Sequence, residues 1–490
     1  MISRNVKNQK ENKEKKMSKQ IIRDEKGRRK FGTLDKVSYA AGDFGCNMSF
    51  ALAGTWFTLF WTQYMKIDEI LFAGLLIAFK VWDAINDTLI GAIMDSSKKQ
   101  YKRGKFLSYI SFGSILLAVA ACLCFLPIPN ANPIIKCIIC TIGYVAWDAA
   151  YTIVNVPYGS MLSVITDDPG QRAQLGAWRN IGALLASLPI GIILPIVLYD
   201  TNDEIIGQRL FPIAVILGVI ALVAFTFMVK TTVQRVDTKV DVSEQKFNFF
   251  KSIKTFAKNR PAIGATLMPV AMFIGTYGAA QATSVMFQTF FHQPKLSGLM
   301  TIVSMLPMFV FIPFIKKIVV KYGKKESAAF GLIFSIISCI LMLVVPFTPD
   351  MKGVLIYVIL QVLNGFGMGI GMCVGNAMMA DAIDYNQWKF GKREEGMTYA
   401  IHSFFRKLAQ GVGPSLGLIL MVALGYDADL GSLQAEGVPL KIRYLVAAMY
   451  LVSSILMYVG TKFVYNLDKD TLEQMNKELA LAKEDNVVEN

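Results

Sequence analysis

The chain has 490 residues, of which 54% are hydrophobic and only 18% charged, and it carries a formal net charge of +14. A soluble domain of this length would carry more charge and would alternate its apolar residues. Here apolar stretches of about twenty residues recur, each long enough to cross roughly 30 Å of hydrocarbon as a helix, so a soluble enzyme is excluded and an all-α polytopic membrane protein is expected.

The basic excess does not point to nucleic acid, because positive residues gather in the N-terminal tail and in alternate connections. The first 36 residues are polar and lysine-rich and lack an apolar stretch of signal-peptide length; they read as a basic cytoplasmic tail, with Met17 as an alternative start. Twelve spans follow, at roughly 37–65, 69–94, 106–127, 133–162, 176–199, 208–229, 262–291, 297–320, 326–348, 353–383, 397–425 and 441–465. Residues 37–229 form an N-terminal six-helix bundle, 230–261 a central cytoplasmic linker, and 262–465 a C-terminal six-helix bundle. Residues 466–490 form a cytoplasmic tail whose charged stretch suits a short amphipathic helix. Connections 95–105, 230–261 and 316–325 are basic and the intervening ones neutral or acidic, which puts both termini in the cytoplasm. Matching basic turns after the second span (Lys102-Arg-Gly-Lys105) and the eighth (Lys321-Tyr-Gly-Lys-Lys325) suggest an internal repeat, as in the two halves of major-facilitator transporters.

The second span holds Lys80, Asp83 and Asp87, three charges on one helical face about a turn apart. Ionisable groups at membrane depth mark ion or substrate pathways by default. With Asn86 and Thr152 of the fourth span they offer hard oxygen ligands for a monovalent cation: sodium, with proton or lithium as alternatives. A Lys80–Asp83 pair that holds no mobile ion is the purely structural alternative. A second set is polar and aromatic: Asp43, Asn47, Tyr151, Asn155, Tyr158 and Trp178, with the cations Arg179, Arg406 and Lys407. Sugar sites combine such amide or carboxylate groups with aromatic faces that cover the ring. His292 reads as a solvated loop group and His402 as a helix-end group. Seven cysteines are scattered, mostly in apolar segments, with no zinc spacing or disulfide framework.

Tyr39-Ala-Ala-Gly-Asp-Phe-Gly45, Trp82-Asp-Ala-Ile-Asn-Asp87, Arg103-Gly-Lys105, Asn155-Val-Pro-Tyr-Gly-Ser160, Asp381-Ala-Ile-Asp-Tyr385 and Ser403-Phe-Phe-Arg-Lys407 resemble the glycoside–pentoside–hexuronide:cation symporter family, the group of the melibiose and glucuronide permeases. The resemblance covers about residues 33–465 and implies a major-facilitator fold, no enzyme activity, and a monomer in the cell membrane. By it, Asp83, Asn86, Asp87 and Thr152 fall at sodium-ligand positions, and Arg179 and Lys407 at basic residues that bind sugar or link it to the cation. Asn47 and Asn155 replace the aspartates of the melibiose site, and Gly159 its tryptophan. A hexuronide-type glycoside is therefore expected, with a neutral pentoside, xyloside or other oligosaccharide as the alternative. A sodium-coupled lysophospholipid carrier and a non-transporting membrane sensor are further rivals; a lipid carrier would need a lateral apolar cleft. A soluble phosphotransferase-like module after the last span, found in some relatives, is not expected.

Overall fold

In hydrocarbon every backbone N–H and C=O must be satisfied within its own segment, so a chain with these apolar stretches folds as helices. The computed structural model describes residues 28–96, 104–166, 168–236, 256–300, 303, 306, 307, 310, 314–391 and 395–488. The first six helices are α1 (Thr33–Leu59), α2 (Glu69–Ser96), α3 (Lys105–Leu123), α4 (Pro133–Ile165), α5 (Pro169–Leu198) and α6 (Leu210–Thr231). They are followed by α7 (Arg260–Thr289), α8 (Ile315–Tyr322), α9 (Lys324–Val344), α10 (Met351–Phe390), α11 (Glu395–Ala423), α12 (Val438–Val459) and α13 (Lys469–Val488). The fold is twelve membrane helices in two six-helix halves, with α8 the last turns of the eighth and α13 an added helix in the C-terminal tail. Most of the N-terminal tail and of the central linker, and several residues in the middle of the eighth span, lie outside the described residues.

Local chemistry sets where the helices begin. Before α4, α5 and α7, an Asn or Asp side chain (Asn132, Asp168, Asn259) accepts from a first-turn backbone N–H, and proline occupies the first turn, where its missing N–H costs nothing. The tenth helix runs past the expected residue 383 to Phe390 and ends at Gly391, whose φ of +68° suits glycine. Its 40 residues extend about 60 Å, beyond the bilayer core. Two contacts hold the overhang: Lys324 Nζ lies 2.6 Å from the Asp381 carboxylate, and Trp388 Nε1 donates to Glu478 of α13 at 2.6 Å. Asp468 caps α13, accepting from Thr471 N at 2.9 Å, and the Thr471 hydroxyl and amide hold its carboxyl below the usual range.

In the first half α1 packs on α5 and α6, α3 on α4 and α6, and α2 on α4. In the second α7 packs on α10, α11 and α12, and α9 on α10 and α12. Small residues permit the closest approaches, as van der Waals packing in lipid favours. At Gly182 of α5 an added Cβ would strike the Ala40 carbonyl of α1. Eight helical segments are apolar and long enough to span a membrane by composition among the described residues; α1, α2 and α11, which carry Asp43, the Lys80–Asp83–Asp87 group and Arg406–Lys407, are not among them.

The halves meet along α2 and α11 and at the end of the bundle remote from the termini. That end is sealed by polar bonds. Gln63 Nε2 donates to Gln288 Oε1 and to the Tyr426 hydroxyl, each at 2.9 Å, in a fully buried setting. Gln288 Nε2 donates to Asp203 O at 2.9 Å, and Glu204 accepts from Ser432 N and Oγ at 2.7 and 2.9 Å. Glu69 accepts from Ala428 N at 2.6 Å, and Lys66 pairs with Asp429 at 3.1 Å. At the opposite end buried Asp35 accepts from Arg29 and Arg235 at 2.6 and 3.0 Å.

Gly182→Leu is expected to cost about 1–3 kcal/mol by overpacking the α1–α5 contact, read as a lowered unfolding temperature of the detergent-solubilised protein. Lys66 and Asp429 sit across the seal, so a K66C/D429C variant should lose PEG-maleimide labelling after mild oxidation and regain it on reduction. The native cysteines are buried or half-buried and give little background. Undiminished labelling after oxidation would contradict a closed remote end.

Candidate cation and substrate site

Because α2 repeats its charges every three or four residues, they share a face, and α4 and α11 meet that face. Lys80 Nζ lies 2.6 Å from Asp83 Oδ2. Asn86, buried, reaches to α4 and donates to Asp148 Oδ2 at 2.8 Å and to Thr152 Oγ1 at 3.1 Å. Thr152 in turn donates to Asp87 Oδ1 at 3.0 Å. From the other half, Lys407 of α11 forms an ion pair with Asp87 Oδ2. The four residues expected around a cation, Asp83, Asn86, Asp87 and Thr152, are thus brought into one network. Gly411 lets α11 come this close, since a Cβ there would strike the Lys80 stem.

The network contains a carboxylate that the sequence reading passed over. Asp148 lies one turn before Thr152 on α4 and is only 6% exposed. The signal was available: an acid inside the apolar fourth span meets the same criterion that singled out Asp83 and Asp87. Among the described residues no group of three or more His, Cys, Asp or Glu side chains forms a metal site of its own. A bound ion would therefore also need the amide and hydroxyl oxygens.

The second set gathers one step round α4. Asp43 of α1 pairs with Arg179 Nε of α5 at 2.9 Å and accepts from Asn47 Nδ2 at 3.0 Å. The Arg179 guanidinium lies 5.2 Å from the Tyr158 ring centroid. Tyr158 itself is fully buried, stacks on Tyr39 at 4.7 Å and donates its hydroxyl to Tyr39 O at 2.8 Å, so it supports the site from behind. Tyr151 packs between Phe50 and Trp147, with centroids 5.6 and 5.7 Å away. Asn155 Oδ1 is buried without a hydrogen-bond partner, a free acceptor between the two clusters along α4. One expected member lies elsewhere. Trp178 lines a groove of about 570 Å³ among α1, α5 and α6, together with Ala40, Phe44, Leu185, Val223 and Phe227. Successive residues on a helix point about 100° apart, which separates Trp178 from Arg179.

The three basic residues are not equivalent. Arg179 is held by Asp43 and Lys407 by Asp87. Arg406 has no ion-pair partner among the described residues and lies near Tyr277 of α7 and His402. His402 is no helix-end group: it is 4% exposed inside α11 and shares a 2.9 Å hydrogen bond with Thr266 of α7, because it falls on the face that packs against that helix. His292 is 59% exposed at the end of α7, as expected.

Helices in two six-membered halves, with polar networks where the halves meet, define a secondary transporter. Residues 38–469 match the family model described as "MFS/sugar transport protein", and the chain belongs to that family, within its glycoside–pentoside–hexuronide:cation symporters. It is 27% identical to the isoprimeverose transporter of Lactiplantibacillus pentosus over 400 residues, 81% of each protein. It is 25% identical to the glucuronide carrier protein homolog of Escherichia coli over 438 residues, 88% of this chain and 92% of that protein. Among solved structures, a D-xylose–proton symporter superposes with a TM-score of 0.59 at 13% identity, over 88% of this chain and 97% of that one. The protein is a multi-pass membrane transporter of a sugar-transport family.

Asn86→Ala would leave the buried Asp148 and Thr152 without their shared donor, a loss of about 1–3 kcal/mol. Thermal unfolding in detergent should register it, and an unchanged midpoint would show that the amide does not tie α2 to α4.

Proposed function

We propose that the protein is a sodium-coupled symporter of a glycoside, most readily a glucuronide or related hexuronide, working by alternating access in the cell membrane as a monomer with both termini cytoplasmic. The observation that carries this reading is the Lys407–Asp87 pair, which joins the candidate cation network of one half to α11 of the other. A cation entering among Asp83, Asn86, Asp87 and Thr152 competes with Lys407 for Asp87. Lys407 is thereby released toward the sugar, beside Arg406, Asn155 and the Asp43–Arg179–Asn47 group. Sugar and cation then strengthen each other's binding by the same factor. Retention of an amide and a hydroxyl beside the acids favours sodium, or lithium, over a proton, which needs only a carboxylate. On this reading the sealed end faces outward, and the structure represents the inward-facing arm of the cycle.

Arg406 supports the anionic substrate. A guanidinium without a carboxylate partner among the described residues is a ready-made bidentate site for a uronate. The neutral alternative rests on Asn47 and Asn155, whose amides suit sugar hydroxyls equally well, and on the similarity to an isoprimeverose transporter. A lysophospholipid is less well served. The groove beside Trp178 is lateral and apolar, but its lining offers no charged side chain for a headgroup.

Uptake of a labelled glucuronide and a labelled xyloside into proteoliposomes, with and without an inward sodium gradient at fixed pH, separates these readings. Sodium-driven glucuronide accumulation is expected. Arg406→Gln should raise the glucuronide KM by about tenfold or more, the cost of one charge-assisted pair, while sparing kcat. Sodium-driven xyloside accumulation instead would assign Arg406 to structure, and movement of neither sugar would refute the glycoside reading.

A further inference from the structure

The charge balance of the α2–α4–α11 network shows what the cation is needed for. Lys80 neutralises Asp83, and Lys407 neutralises Asp87. If the site were the four expected residues and their lysines alone, it would already be balanced and would have no demand for another positive charge. Asp148 changes that. It is 6% exposed, and its bond to Asn86 is to a neutral amide. Among the described residues it has no ion pair. A buried carboxylate left in that condition is costly.

A second observation points to the same spot. Asp83 Oδ1 is buried without any hydrogen-bond donor, and the Asp148 carboxyl is its neighbour across the α2–α4 contact. Two acids face each other there within hydrogen-bond reach, and either a proton they share or a cation must sit between them. The groups around them are Lys80, Asp83 and Asp87 from α2, Tyr144 and Tyr151 from α4, and Lys407 from α11. Arg406 falls outside this balance, against Tyr277 and His402.

We propose that Asp148 is a further ligand of the coupling cation and the carboxylate whose uncompensated charge makes the site require one. The inference rests on the symport reading and sharpens it. With three acids and two lysines, one monovalent cation restores neutrality. Lys407 then acts as an internal rival for that ion, and weakening the rival should strengthen the ion.

The test is equilibrium binding of ²²Na⁺ alone to the purified full-length protein, with choline chloride holding ionic strength. Asp148→Asn should weaken sodium binding by at least about tenfold, as expected for loss of a buried charge partner, and Asp148→Glu should retain most of it. The decisive variant is D148N/K407Q. Removing Lys407 frees Asp87 to serve as the uncompensated carboxylate, so the double variant should bind sodium more tightly than D148N, whereas a merely structural role for Asp148 predicts no recovery. Should D148N fail to fold, the charge-balanced D148N/K407Q decides, because it should bind sodium within a few-fold of the unmodified protein. Unchanged affinity in D148N, or no recovery in D148N/K407Q, overturns the inference while leaving symport intact. Absence of sodium binding to the unmodified protein overturns the sodium reading itself, and this inference with it.

Discussion

Charge at membrane depth must be neutralised where it stands, because water is not there to screen it. That constraint orders the centre of this protein. Lys80 and Asp83 satisfy each other within one helix, but Asp87 is paired only when α11 of the opposite half brings Lys407 to it. The most polar helices, α1, α2 and α11, are therefore held together by partners as well as by packing. α4 acts as their common support: its residues Asp148 and Thr152 serve one cluster, and Tyr151, Asn155 and Tyr158 the other. A displacement of α4 would be felt by both, which is the physical requirement for coupling two ligands.

The seal at the remote end follows a different logic. Its bonds are numerous, shared between the neutral amides and hydroxyl of Gln63, Gln288 and Tyr426 and the carboxylates Glu69 and Glu204 on backbone and hydroxyl donors, and they are distributed over short segments: Phe60–Tyr64, the stretch 200–206, and Ala428–Leu430. Such bonds each contribute about 1–3 kcal/mol net, because water replaces them once the segments part. An array of this kind is firm when closed and inexpensive to open. The Lys66–Asp429 ion pair at this end is exposed, where an ion pair is worth little. The Lys407–Asp87 pair is itself partly exposed, but it ties α11 of one half to α2 of the other, and in the proposed cycle it is exchanged for a cation at Asp87 and a sugar at Lys407.

Much of this could be read from the chain. Twelve spans follow from length and hydropathy, whereas the pairing of Lys324 with Asp381 shows only once the fold brings α9 against α10. The α2 triad and Thr152 were legible because charge in an apolar run is rare and its period is that of a helix. Asp148 obeyed the same rule and was overlooked for lack of a second charge beside it. Trp178 and Arg179 look equivalent in sequence, yet one turns to an apolar groove and the other to Asp43, a difference that only the rotation of α5 decides. Pairing across halves, such as Gln63 with Tyr426 or Lys407 with Asp87, joins residues more than three hundred positions apart and leaves no periodic trace.

The identity of Lys407's partner also bears on why a carrier of this design would not leak. A site of bare carboxylates would attract cations whether or not a sugar were present, and an empty carrier would be held open by its own repulsion. An internal ammonium ion removes that repulsion and lets the unloaded network close on itself. In the proposed cycle the external cation must then displace Lys407, and the displaced lysine is stabilised best when a sugar is there to receive it. The same side chain thus opposes the cation when the sugar is absent and assists the sugar when the cation is bound. Coupling of this kind needs no relay between distant sites, because both ligands compete for, or cooperate with, a single charge.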